Sequence, residues 1–175
     1  MKKVTLIAGA LCLGLCVQGC SGAKKSAFPA TEVGAKAMLQ QFLKADADRT
    51  KLSLALKPQS ADYGKVFADA ATAKKAEAAY SKLWESVPKR PFGPKEGQTE
   101  ILLWGATTDD LKEGKGNASK FPGGYKKVAA QLKSGLKVYR FKFVKPGSTL
   151  GMAFDGLYNI EGRWVLMPKP WRALR

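Results

Sequence analysis

Residues 136–145 read Leu-Lys-Val-Tyr-Arg-Phe-Lys-Phe-Val-Lys (LKVYRFKFVK). Tyr139, Phe141 and Phe143 alternate with Arg140 and Lys142, a period of two in aromatic and β-branched residues that predicts a strand with one apolar face. Lys145-Pro146-Gly147-Ser148 supplies turn chemistry directly after it, and Thr149–Tyr158 returns as a second strand. With Pro146-Gly147 taken as a two-residue turn, Arg140 lies opposite Ala153 and Val138 opposite Asp155. One face then carries Tyr139, Phe141, Phe143, Leu150, Met152, Phe154 and Tyr158. The other carries Val138, Arg140, Lys142, Val144, Thr149, Gly151, Ala153 and Asp155. A slip of one residue would bury the charges, so the first face is expected to be the core side and the second the wet one.

Working outward, Glu161-Gly162 predicts another turn and Arg163–Met167 a last strand, broken by Pro168-Lys169-Pro170. Upstream, Gln98–Ala106 reads as a first strand around Ile101-Leu102-Leu103-Trp104, and Gly124–Leu132 as a short helix. The N-terminal half is helical in pattern. Thr31 is a suitable N-cap for a helix with Val33, Ala37, Met38 and Phe42 on one stripe. Asp46 or Asp48 caps a second helix that stops before Pro58, and Ser60–Phe67 gives a short third. Asp69 caps a longer one, with Ala73, Ala76, Tyr80, Leu83, Trp84 and Val87 at three- and four-residue spacing, ended by Pro88, Pro91 and Pro94. Helices first, then an antiparallel sheet of about four strands, predict an α+β fold over residues 31–175. This order resembles the cone-shaped fold of nuclear transport factor 2 and its relatives. The resemblance implies a curved sheet wrapping helices around a pocket.

The first thirty residues have a different character. Lys2 and Lys3 precede an uncharged, mostly apolar run, Val4–Val17, of a length that suits a signal-peptide core better than a span of about 30 Å of hydrocarbon. Val17-Gln18-Gly19-Cys20 follows at once: a branched apolar residue, a tolerant position, a small residue and cysteine. This resembles the lipobox of bacterial lipoproteins. The resemblance implies a signal peptide over 1–19, diacylglycerol on the Cys20 sulfur, and cleavage between Gly19 and Cys20. Ser21 after the cysteine, in a bacterium with two membranes, implies transfer to the outer membrane facing the periplasm. Residues 20–30 then form a lipidated tether, with Lys24 and Lys25 beside the headgroups, each contributing about 1 kcal/mol on an anionic leaflet.

The chain of 175 residues carries 30 Lys and Arg against 14 Asp and Glu, a formal charge of +16. Loss of Lys2 and Lys3 with an acid-free leader leaves +14. Such an excess attracts polyanions, and in an exported protein the expected ones are anionic envelope components rather than nucleic acid, for which no recognition module is visible.

Chemistry has few footholds. There is no histidine, and all three cysteines lie at or before residue 20, so Ser-His, Cys-His and His-metal arrangements are excluded. No P-loop or dinucleotide fingerprint occurs, and no cofactor or metal is expected. Carboxylates remain. Asp109-Asp110 reads as helix capping. Asp155, diagonal to Arg140, reads as a cross-strand ion pair or, if a pocket encloses it, as an acid–base group. Glu100 flanks the first strand as edge charge, with the same alternative. Trp171, between Pro170 and Arg172, packs over the sheet edge or stands exposed. The expected function is a non-enzymatic binding or interaction module held at the cell envelope. The alternative is an envelope enzyme using Asp155 or Glu100 as a base in a cone-shaped pocket.

Overall fold

The computed structural model describes residues 26–175, so the signal-peptide reading, the flank Val17, Gln18 and Gly19, the acceptor Cys20, and Lys24 and Lys25 lie outside the described residues. Four helices come first: α1 (Glu32–Gln40), α2 (Arg49–Ala55), α3 (Ser60–Val66) and α4 (Ala70–Ser86). Each starts where a side chain satisfies an otherwise orphan helical N–H. Thr31 accepts from Gly34, Asp48 from Lys51 and Asp69 from Thr72, while Gln59 and Asp62 form a reciprocal capping box. A 3-10 turn, Gln41–Leu43, prolongs α1.

The three-proline loop after α4 is tied down. Ser53, fully buried in α2, accepts the Phe92 N–H at 2.9 Å.

Four strands follow: β1 (Glu100–Thr107), β2 (Lys137–Val144), β3 (Gly151–Ile160) and β4 (Arg163–Leu166). They form one antiparallel sheet in the order β1-β2-β3-β4. The β1–β2 connection contains α5 (Thr108–Glu113) and α6 (Gly124–Val128), and α7 (Pro170–Ala173) closes the described chain. The expected α+β architecture is therefore present.

The hairpin register differs from the expected one. Lys142, not Arg140, faces Ala153, and Phe141 faces Phe154. The Pro146-Gly147 turn forms, with Ser148 N–H donating to Lys145 O at 3.0 Å and Gly147 at φ 70°, but it sits inside a longer loop. A Pro-Gly turn of this hand does not match the strand twist, so the strands close only after Leu150. That displaces the register by two residues, which preserves the faces. Leu150 falls outside the ladder and is 80% exposed.

A second departure changes faces. The register shifts between Tyr139 and Phe141: one residue on β2, Arg140, opposes two on β3, Asp155 and Gly156, and beyond the shift Tyr139 faces Leu157 and Val138 faces Tyr158. This β-bulge places Tyr158 on the opposite face from Phe154, contrary to the expected alternation. Nor is that second face wet throughout, since Val138, Val144 and Tyr158 are buried. The first face is the aromatic core, where Phe141 stacks on Phe154 (centroids 5.2 Å), Phe42 tilts against Phe143 (6.1 Å) and Tyr139 meets Trp164 edge-on (5.7 Å).

Candidate functional site

The bulge is built around Gly156. Its φ of 76° is one that side chains rarely tolerate, and a Cβ there would sit 2.1 Å from the Met167 carbonyl oxygen. The close approach is used: Met167 N–H donates to Gly156 O at 2.8 Å as the chain leaves β4. Extra length at this point delivers the preceding side chain, Asp155, to the interior.

Asp155 is 4% exposed. Its Oδ1 accepts the Tyr125 hydroxyl at 3.0 Å and the Lys169 backbone N–H at 2.8 Å. Lys169 adopts a left-handed conformation (φ 54°), which aims that N–H back at the carboxylate. Burial pushes the Asp155 carboxyl above its usual range, opposed by these two hydrogen bonds and by the Lys169 and Arg140 charges. Tyr80 and Tyr158 lie close enough for the Asp155 charge to raise their phenols further, after burial as the main cause. The Tyr80 hydroxyl donates to Pro168 O at 3.0 Å, whereas the Tyr158 hydroxyl is buried without a partner among the described residues. Asp155 thus joins the β3 bulge, α6 and the C-terminal segment at one point.

Beside it opens a cleft of about 400 Å³. One wall is α4, with Ala79, Tyr80 and Leu83. The other is the β3 edge from Met152 to Asp155, and Phe92 closes one end. Lys169 and Arg172, both exposed, stand at its rim. Asp155 is among the residues that line this cleft, and no hydrogen bond reaches its Oδ2 from the described residues.

The other singled-out residues have separate fates. Arg140 forms no ion pair with Asp155; its guanidinium lies over Trp104, 5.7 Å from the ring centroid, with the Lys142 ammonium at 5.9 Å. The lengthened loop sets Asp155 across from Arg140, but the bulge begins there and turns the carboxylate into the interior, onto Tyr125 and Lys169. Glu100 is exposed at the start of β1, where it accepts a long bond (3.4 Å) from Gly147 N–H, and it does not share the Asp155 cleft. The Asp109-Asp110 pair is divided. Asp110 shares a capping box with Thr107, and Asp109 accepts from Ser134 Oγ and Gly135 N–H. Trp171 is half-buried, edge-on to Tyr125 at 5.2 Å, and seated where Gly124 leaves no side chain.

Tyr125, Lys169 and Arg172 belong to the site and were not foreseen together. Tyr125 lies 30 residues from Asp155 in the chain, and no local pattern links them. The sole sequence signal was Pro168-Lys169-Pro170, which marks a forced bend directly after the last strand. Among the described residues no cluster of potential ligands for a metal ion occurs, and no helix is long and apolar enough to cross a membrane. Set against protein-family models, curated proteins and solved structures, the chain matches none.

Proposed function

We propose that this chain is a lipid-anchored binding protein of the bacterial cell envelope, held on the membrane through acylated Cys20, with the α4–β3 cleft as its ligand site. The observation that carries the reading is the cleft itself: an apolar trough with few, convergent polar groups and a cationic rim of Lys169 and Arg172. Such a rim suits a ligand with negative charge, in keeping with a chain of formal charge +16. Asp155 acts within the fold, as a latch already engaged by Tyr125 and Lys169, rather than as a free base.

The anchor and the cleft are suitably separated. Ser26 N–H donates to Gly162 O at the β3–β4 turn, while the cleft borders the opposite end of β3. At roughly 3.3 Å per residue these points are about 25 Å apart, so a tether leaving from Ser26 keeps the opening clear of the bilayer.

Two measurements test this. Mass spectrometry of the membrane form is expected to find acyl chains on Cys20, and an unmodified cysteine behind an uncut leader overturns the anchor. Fluorescence titration with 8-anilinonaphthalene-1-sulfonate, an apolar anion, is expected to saturate at one site and to be lost in Ala79→Phe, which fills the trough. Equal binding by that variant overturns the ligand site.

A second reading is favoured by one observation: a buried carboxylate with its pKa raised borders the cleft. In it Asp155 is the base of an envelope enzyme. A panel of chromogenic esters and glycosides separates the two: turnover by the wild type that Asp155→Asn abolishes supports the enzyme, and no turnover by either protein supports the binding module.

A further inference from the structure

Between Gly151 and Asp155 the outer edge of β3 has no neighbouring strand, because β4 pairs only with Leu157–Ile160. On this side no backbone hydrogen bond is made by the described residues until the Gly156 carbonyl accepts from Met167. Open edges are ordinarily protected by lysine, proline, a bulge or a covering element. Gly151-Met152-Ala153-Phe154 has neither lysine nor proline, and the bulge comes only at its end. Gly151 and Ala153 are exposed, and Met152 and Phe154 half-buried. Met152, Ala153 and Phe154, with Asp155, are one wall of the cleft, opposite Leu83 of α4. The trough is therefore a slot with backbone donors and acceptors on one side and apolar side chains on the other.

This two-sidedness narrows the occupant. A purely apolar ligand would strip water from the edge N–H and C=O groups and return no hydrogen bond, at the usual cost of an unmade one. An extended peptide restores each of them and places alternate side chains against the apolar wall. The geometry points to a peptide segment rich in acidic residues, bound as a fifth strand along Gly151–Asp155 and held at its end by Lys169 and Arg172. A second copy of this chain fits less well, because it would bring a second large positive charge against the first. The inference rests on the cleft being the ligand site and goes further by naming what fills it.

The test uses a seven-residue peptide of alternating glutamate and valine, blocked at both ends, titrated into the purified protein while backbone amide signals are followed by NMR. The amides of residues 151–155 are expected to move and to gain protection from exchange. Because an edge strand bonds through every second residue, only one of two N-methylated peptides, blocked at odd or at even nitrogens, is expected to lose affinity. Arg172→Glu is expected to weaken the unmodified peptide about tenfold, with the effect shrinking as salt rises. Equal affinity for both N-methylated peptides, or unmoved signals at 151–155, overturns the inference. So do shifts at these residues that depend on protein concentration without peptide, which identify self-pairing instead. If the naphthalenesulfonate binds and the peptide does not, the ligand site stands and the strand partner falls; if neither binds, both fall.

Discussion

The Tyr125 hydroxyl donates to Asp155 Oδ1 at 3.0 Å, and the same oxygen takes the Lys169 N–H at 2.8 Å. One buried carboxylate oxygen thus fastens α6, the bulge of β3 and the segment after β4.

Tyr125→Phe removes one of the two donors and keeps the ring against Phe121 and Trp171. A loss of about 1–3 kcal/mol is expected, since a buried charged acceptor loses a partner. Urea unfolding at neutral pH measures it. An unchanged midpoint would show that the bond contributes nothing.

The pH dependence has a definite sign. Burial raises the Asp155 carboxyl in the folded chain above its ordinary 3.8, so the folded state holds the proton more tightly than the unfolded state. Stability contributed by this group is full below 3.8 and is lost as pH rises from there through the raised folded value. Asp69 and Asp110 are held below their usual range by hydrogen bonds from Thr72 and Thr107 and slope the other way. A comparison with Asp155→Asn cancels them. The wild-type chain is expected to lose stability relative to that variant on going from pH 3.5 to pH 7, and a constant difference in unfolding midpoint would refute this.

Gly156 and Gly147 both have positive φ, 76° and 70°, but differ in surroundings. A Cβ at Gly147 meets nothing within 4 Å, whereas one at Gly156 meets the Met167 carbonyl oxygen at 2.1 Å. Gly147→Ala is expected to cost about 1–2 kcal/mol from conformation alone. Gly156→Ala costs clearly more and disturbs the Asp155 amide signal. Equal losses in thermal unfolding would mean that the bulge yields easily.

Arg163 Nη2 contacts both oxygens of Asp62 (2.6 and 2.5 Å), tying β4 to α3 across 101 residues. The Asp62 side chain is 2% exposed. Arg163→Met leaves that carboxylate buried with only the Gln59 N–H and is expected to cost about 3–5 kcal/mol. Adding Asp62→Asn should restore much of the loss. A double variant as unstable as the sum of the two singles argues that the pair is not coupled.

Cys20→Ser tests the anchor on its own. The substituted protein is expected to carry neither acyl chains nor a cleaved leader when its mass is measured, and a leader still cut between Gly19 and residue 20 rules out thioether lipid as the anchor.

Much of the fold was legible because its signals are local. Thr31, Asp48 and Asp69 announce helices by offering a side-chain oxygen to the next turn, and each does so. Tyr139, Phe141 and Phe143 alternate as a half-buried strand should, and all three are buried. Asp155 was singled out, but its surroundings were not. Pairing it with Arg140 assumed an uninterrupted ladder, and the ladder breaks where the two residues meet.

What the amino-acid order determined by itself is the first four helices, the four strands, their sequence along the chain and the aromatic side of the sheet, all of which follow from spacing over a few residues; the short α7 after Pro170 did not follow from it. Tertiary structure alone decided that Asp155 is interior, that Tyr125 and Lys169 hold it, and that an open stretch of β3 borders a cleft. The reason is physical: a one-residue bulge reverses the facing of every residue beyond it, and whether it forms is settled where Gly156 meets Met167, eleven residues later and on another strand's exit.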